Sequence, residues 1–296
     1  TDFNIYLEDY LFFIDLLETA PHENKILFKK SNIFFKNHDE EVLFINKIKN
    51  SNFYYDSNNL QNVLVMKSEV FNIPYKLLIK NDKFYKKFDI TFNSKKIRLN
   101  IENETSYENK SKDGVLDILF INKSTSLKYK INQNYLNFES EDNPNIYKGK
   151  VDFKPFYLST FLNYDGISLK NIFDNDSIFV DLFESEILNN KNLSANLNLN
   201  VKDITNINEL NNLNLRVFVE EGEVKFSDSS IMWKDDLKIE LIECQLAMND
   251  EGINIIGTIN LDFKDIDDFY TSFQTKKANR KNINYVEVNF VYNINS

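Results

Sequence analysis

Carboxylates are the first residues in this chain that could do chemistry, because paired acids hydrolyse glycosides and clustered acids bind calcium. Asp262, Asp265, Asp267 and Asp268 form such a cluster. Glycine is missing where a calcium loop needs its sharp turn, so this spacing reads as a helix N-terminus, where acids favour the dipole. Asp174 and Asp176 read the same way ahead of a helical run, and Asp235-Asp236, between Trp233 and Leu237, reads as a hairpin turn. Trp233 reads as a packing residue, with an aromatic face for a sugar or lipid as the alternative. His22 and His38 sit in polar, turn-like stretches away from any nucleophile in sequence. With one cysteine, Cys244, and two histidines, no Cys/His metal cluster can be assembled. Gly114, Gly149, Gly166, Gly222, Gly252 and Gly257 stand alone, so no glycine-rich phosphate loop is present. The expectation is a non-catalytic chain with no metal and no cofactor.

The elements that would position any site are strands. From Leu193 to Phe263 the chain alternates apolar and polar residues in run after run, the signature of half-buried strands. Leu193, Ala195, Leu197, Leu199 and Val201 alternate with Ser194, Asn196, Asn198 and Asn200. The pattern returns at Leu213, Leu215, Val217 and Val219, at Val224 and Phe226, and at Leu237, Ile239 and Leu241. It closes with Ile253, Ile255, Gly257, Ile259, Leu261 and Phe263. Every one of these strands carries an apolar face. A second sheet, a helical layer or a bound lipid would each cover such a face, and periodicity does not choose among them.

The first half has the same texture. Ile5, Leu7, Asp9 and Leu11 start it as one long or bent strand. Asn32–Lys36 and Val42–Ile48 form a hairpin about Asn37–Glu40, and Phe53-Tyr54-Tyr55 and Val63–Val70 follow around an Asp56–Asn59 turn. Pro74 marks a strand start or an edge. Phe88, Ile90 and Phe92, then Ile97, Leu99 and Ile101 after an Asn93-Ser94 turn, then Leu116–Phe120 after a break at Gly114, continue the series. Leu127–Ile131 pairs with Leu136 and Phe138. Short connections at this spacing predict an antiparallel meander over residues 1–145, with a boundary in the acidic loop Glu139–Asn145. Beyond it, Lys148–Leu158 reads as one strand containing Pro155. Helical spacing appears at Ser177–Leu188 and at Asp265–Phe273, the latter placing Ile266, Phe269, Tyr270 and Phe273 together. Two short helices leave most of so large an apolar face to meet something else.

Composition narrows the classes. The formal net charge of −10 argues against nucleic acid, whose phosphates need a concentrated basic surface. Asn runs such as Asn189-Asn190 and Asn211-Asn212 read as polar filler in turns. Cys244 reads as a small buried side chain. No stretch approaches the roughly 20 apolar residues of a membrane-spanning helix, and no signal-peptide layout opens the chain. Thr1 leads almost directly into an apolar run and the chain stops within another, so it reads as an internal piece of a longer protein.

In the second half, several features follow in a familiar order. The strand Gly149–Phe156 and the helical pieces Leu169–Phe173 and Ile178–Leu188 come first, then the strand Asn192–Val201. Leu213–Val219, Gly222–Ser230, Leu237–Ala247 and Gly257–Leu261 complete the order. Over residues 147–296 this resembles the AsmA-like C-terminal region of bacterial envelope proteins. The resemblance implies a long curved antiparallel β-sheet with one or two short helices. It also implies an inner-membrane anchor outside this chain, a periplasmic location and a role in outer-membrane biogenesis. The sheet would form a taco-like apolar groove that carries phospholipid or other acyl lipid, with contact to inner and outer membrane through further parts of the chain. The residues expected to face lipid are Leu197, Leu199, Val201, Leu213, Leu215, Val217, Val219, Val224, Phe226, Leu237, Ile239, Leu241, Ile253, Ile255, Ile259 and Leu261. The competing readings are a β-sandwich structural or interaction module of the cell envelope and an all-β carbohydrate-active enzyme.

Overall fold

The computed structural model describes residues 2–6, 25–37, 39–106, 112–120, 123–143, 145–168, 190–226, 228–249 and 252–293. The protein is mainly β: among the described residues nineteen strands belong to one hydrogen-bonded sheet, accompanied by one short α-helix. They are β1 (Asp2–Tyr6), β2 (Ile26–Lys36), β3 (Val42–Asp56), β4 (Gln61–Val70), β5 (Ile73–Asp82), β6 (Lys87–Ser94), β7 (Leu99–Ser106), β8 (Lys112–Phe120), β9 (Lys123–Ile131) and β10 (Tyr135–Ser140). There follow β11 (Tyr147–Phe153), β12 (Phe156–Ile167), β13 (Ser194–Ile204), β14 (Leu210–Glu220), β15 (Glu223–Phe226), β16 (Ser229–Trp233), β17 (Leu237–Asn249), β18 (Gly252–Phe263) and β19 (Tyr285–Asn293). Helix α1 (Ile266–Ser272) lies between β18 and β19. The chain forms two compact units, residues 1–159 with 178–193, and residues 160–177 with 194–296.

In the first unit β2 to β11 follow one another as an antiparallel meander, while β1 runs parallel to β2, from Asp2 opposite Asn32 to Tyr6 opposite Lys36. Several boundaries differ from the sequence reading. Val42–Asp56 is one strand rather than two pieces, because a register shift between Ile48 and Asn50 breaks the alternation without ending the ladder. The turn after β6 is 95–98, so Ile97 lies in the loop and β7 begins at Leu99. Gly114 lies within β8, opposite Thr105 and Tyr129, and a Cβ there would come 2.8 Å from the Tyr129 hydroxyl; glycine makes room for the ring. Lys148–Leu158 is two strands, β11 and β12, joined by a turn at Lys154-Pro155, since proline has no N–H to give the ladder. The predicted strand beyond Tyr6, the two histidines, Asp174, Asp176 and the helix Ser177–Leu188 lie outside the described residues.

The core of this unit sits on one face. Phe53, Leu64 and Ile79 oppose one another across β3, β4 and β5 and are buried together with Phe88 of β6, with Ile26, Leu77 and Ile90 packed against them. Polar side chains share the face. Ser51, Ser68, Asn81, Asn103 and Thr105 are buried there. Asn103 and Thr105 have local partners: the Asn103 amide donates to the Val115 carbonyl at 2.8 Å and accepts from the Tyr129 hydroxyl at 3.2 Å, and the Thr105 hydroxyl donates to the Asp113 carbonyl at 3.3 Å.

Asparagine does more than fill turns. Asn132 Oδ1 accepts the N–H groups of Asn134 and Tyr135, at 2.8 and 3.0 Å, closing the turn between β9 and β10. Asn190 donates to the Leu43 carbonyl at 2.5 Å and accepts the Asn192 N–H at 2.9 Å, and Asn192 donates to Val42 O at 2.8 Å, so this stretch is tied to β3. Asn211 donates to Lys234 O at 3.1 Å, and Asn212, at φ 50°, forms the bulge in β14.

Candidate functional site

The candidate surface belongs to the second unit and is built by register. Residues directly opposite in an antiparallel ladder project to the same face. Leu197, Leu199 and Val201 of β13 oppose Val217, Leu215 and Leu213 of β14. Val217 and Val219 then oppose Phe226 and Val224 of β15. Strands β15 and β16 share one place in the sheet, each lying between β14 and β17. Across β16 and β17, Ser229, Ile231 and Trp233 oppose Leu241, Ile239 and Leu237. Leu241, Ile239 and Leu237 oppose Ile259, Leu261 and Phe263 of β18, and Ile259 and Leu261 oppose Val288 and Val286 of β19. The expected lipid-facing positions therefore fall on one face, joined by several that the sequence reading left out.

The omissions have a physical cause. Ile231 and Trp233 belong to β16, a five-residue strand in which the apolar Met232 between them breaks the alternation. Cys244 and Leu246 were obscured by a bulge. The register shifts between Ile242 and Gln245, with Glu243 at φ 50°, so Ile242 lies on the opposite face while Cys244 and Leu246 return to this one. Phe226 opposes Cys244, and Leu246 opposes Ile255, which in turn opposes Tyr292. Ile253 lies opposite Met248 in register.

Cys244 is 1% exposed, and Gly257 exists to admit it: a Cβ on Gly257 would lie 2.3 Å from the Cys244 Sγ. Burial pushes the thiol pKa up, against weaker opposing contacts with the carbonyls of Thr258 and Ile242 at 3.5 and 3.4 Å. The thiol is a packing group rather than a nucleophile.

Burial varies along the face. Val201, Val219, Val224, Leu237 and Phe263 are buried. Leu197, Leu199, Leu213, Leu215, Val217, Phe226, Ile239, Leu241, Ile255, Ile259 and Leu261 are only half-buried, and Val288 and Tyr292 of β19 are exposed. One end is closed by α1. Asp265 caps this helix by accepting the Asp267 N–H at 2.8 Å, which is the helix-start role expected of the acidic cluster. Phe269 meets Trp233 at 5.7 Å, Phe263 at 5.3 Å and Phe273 at 4.6 Å between ring centroids, so Trp233 is a packing residue.

Arg216, Lys238, Glu240, Asp262 and Glu287 lie on the other face, whereas Asp203, two residues after Val201 and opposite Asn211, stands at the end of β13. Arg216 opposes Asn198, Lys238 opposes Asp262, and Glu240 opposes Asn260, which opposes Glu287. Asn198 and Asn200, also on that face, donate to Asn196 and Asn163 at 3.0 Å each. No group of three or more metal-ligating side chains comes together among the described residues, and no helix among them is long and apolar enough to cross a membrane. What remains is a broad surface of mostly aliphatic and aromatic side chains, suited to apolar contact. Compared with known proteins, the chain matches no family model, no curated protein and no solved structure.

Proposed function

We propose that the apolar face of β13–β19 shields and conducts the acyl chains of phospholipids, in a non-catalytic envelope protein of the AsmA-like kind. The observation that carries this reading is the continuity of that face. Leu197, Leu199, Leu215, Val217, Ile239, Leu241, Ile259 and Leu261 lie in one charge-free field and are half-exposed rather than closed over. Exposed apolar patches of this kind mark ligand or membrane contact. An acyl chain gains about 0.8 kcal/mol per buried CH₂. A bilayer offers nearly the same, so a groove of Leu, Ile, Val and Phe need only match the membrane for transfer to be close to thermoneutral. Such a conduit requires no reactive side chain. The periplasmic setting, the inner-membrane anchor and the outer-membrane role come from the resemblance of residues 147–296.

The test is mass spectrometry of lipids extracted from the purified protein, with lipid loading compared among Leu199→Asp, Val217→Asp and Asn198→Ser. Near-stoichiometric phospholipid lost in the first two variants and kept in the third is the expected outcome. Lipid-free protein, or equal loss in all three folded variants, overturns the reading.

A second reading, a structural module with closed faces, draws on the first unit. Buried Ser51, Ser68, Asn81, Asn103 and Thr105 suit a packed interior better than a lipid-lined one. Compact dimensions in solution scattering and no uptake of an apolar dye would favour it.

A further inference from the structure

The hairpin between β5 and β6 is unlike the loops around it. Other loops at this end read Ser57-Asn58-Asn59-Leu60 and Asn132-Gln133-Asn134, mostly polar and without an aromatic ring, whereas this one reads Lys83-Phe84-Tyr85-Lys86. Phe84 is 83% exposed and Tyr85 73% exposed, and their rings meet edge to face at 5.0 Å, so together they form a single projecting apolar wedge. The wedge is held, not loose. Asp82 Oδ1 accepts the N–H groups of Phe84 and Tyr85 at 2.9 and 3.0 Å. The Tyr85 N–H in particular holds the Asp82 carboxyl below the usual carboxylate range. Leu60, 61% exposed at the tip of the β3–β4 loop, stands beside it, because Gln61 opposes Asp82 and donates to its carboxylate at 3.4 Å.

Lysines surround the wedge. Lys83 and Lys86 flank the rings at the tip itself, while Lys87, at the start of β6, is paired with Asp89 and Glu104, so the two tip lysines carry the charge of the wedge. The fold itself gives no reason for two exposed rings here, since polar residues would make the same turn without loss of packing. We propose that this hairpin tip contacts a membrane surface rich in anionic lipid. Aromatic rings favour the headgroup level of a bilayer, and nearby lysines gain from a negative lipid surface. Area favours this partner over a protein. A specific protein interface buries about 800 Å² on each side, far more than a two-ring tip offers, whereas insertion into a bilayer interface needs only the rings themselves.

The test is flotation of the 296-residue chain with vesicles of phosphatidylcholine, alone or mixed with phosphatidylglycerol. Binding is expected with the anionic vesicles. Phe84→Ser with Tyr85→Ser should weaken it at least about tenfold, with unchanged far-ultraviolet circular dichroism. Lys83→Glu with Lys86→Glu should remove the preference for the anionic vesicles. The ring variant should carry as much co-purified phospholipid as wild type, which separates this contact from the acyl-chain reading. A Phe84→Trp, Trp233→Phe variant should show quenching by brominated lipid. Wild-type protein that floats with neither vesicle, or ring variants that bind as wild type does, would overturn the proposal, the former leaving the tip to a protein partner.

Discussion

At the scale of single residues, three side chains make the fold's demands measurable. Gly257 faces Cys244 where the β17 bulge crowds the ladder, and a Cβ there would also lie 2.6 Å from the Cys244 Cα. Gly257→Ala should therefore cost about 1–3 kcal/mol in denaturant unfolding, the usual range for overpacking. Cys244→Ala in that background should recover part of the loss but not all, because the backbone contact remains. Tyr75 tests burial in the first unit. Desolvation pushes its phenol from 10.0 up to about 12, while Ser68 and Asn46 act in the opposite direction. A folded-state value above the unfolded one means that the stability it contributes is present below pH 10 and lost as pH rises toward 12. A difference titration between wild type and Tyr75→Phe should show one late tyrosine ionisation, and the variant should lose less stability over that alkaline range. An ionisation at the ordinary value would mean that the phenol is solvated.

At the scale of elements, turns carry an unusual burden. With six glycines in the chain, left-handed turn positions fall to other residues: Leu60, Lys86 and Arg98 each end a four-residue loop at positive φ, and Glu40 does so near the β2–β3 turn. The β14–β15 hairpin shows the cost most simply. Glu221 and Gly222 both have positive φ, 52° and 80°, between the opposed Glu220 and Glu223. That is a two-residue turn of the type in which Asn-Gly is strongly preferred. Glu221→Asn should raise stability by about 0.5–1 kcal/mol, both by easing the left-handed backbone and by removing one of the three acids at Glu220, Glu221 and Glu223. Thermal unfolding reads the gain, and an unchanged or lower midpoint would show that Glu221 has a compensating role. The α1 end cap was legible as an element because Asp265 and the spacing of Phe269 and Phe273 are both local signals.

At the scale of the whole molecule, charge and face must be considered together. The sequence pI is about 4.9 and the β16–β18 part of the apolar face carries no charge to hold copies apart. Solubility should therefore pass through a minimum near pH 4.9, and Leu199→Asp should soften that minimum by placing charge on the face; turbidity against pH measures both. The amino-acid sequence by itself determined the fold class, the antiparallel succession of strands, the helix at Asp265–Phe273, and which residues share a side within each unbroken stretch of alternation. Alternation and capping are properties of neighbours in the chain, so they can be read without a structure. Only the tertiary structure decided how those sides join. The shifts at Ile48, Asn212 and Glu243 reverse the alternation within a strand, and the split of one sheet position into β15 and β16 hides Ile231 and Trp233 from any periodicity count. A bulge shows itself only in the partner strand's register, and the room Gly257 makes for Cys244 depends on that partner, which is near in sequence but set opposite by pairing across the ladder.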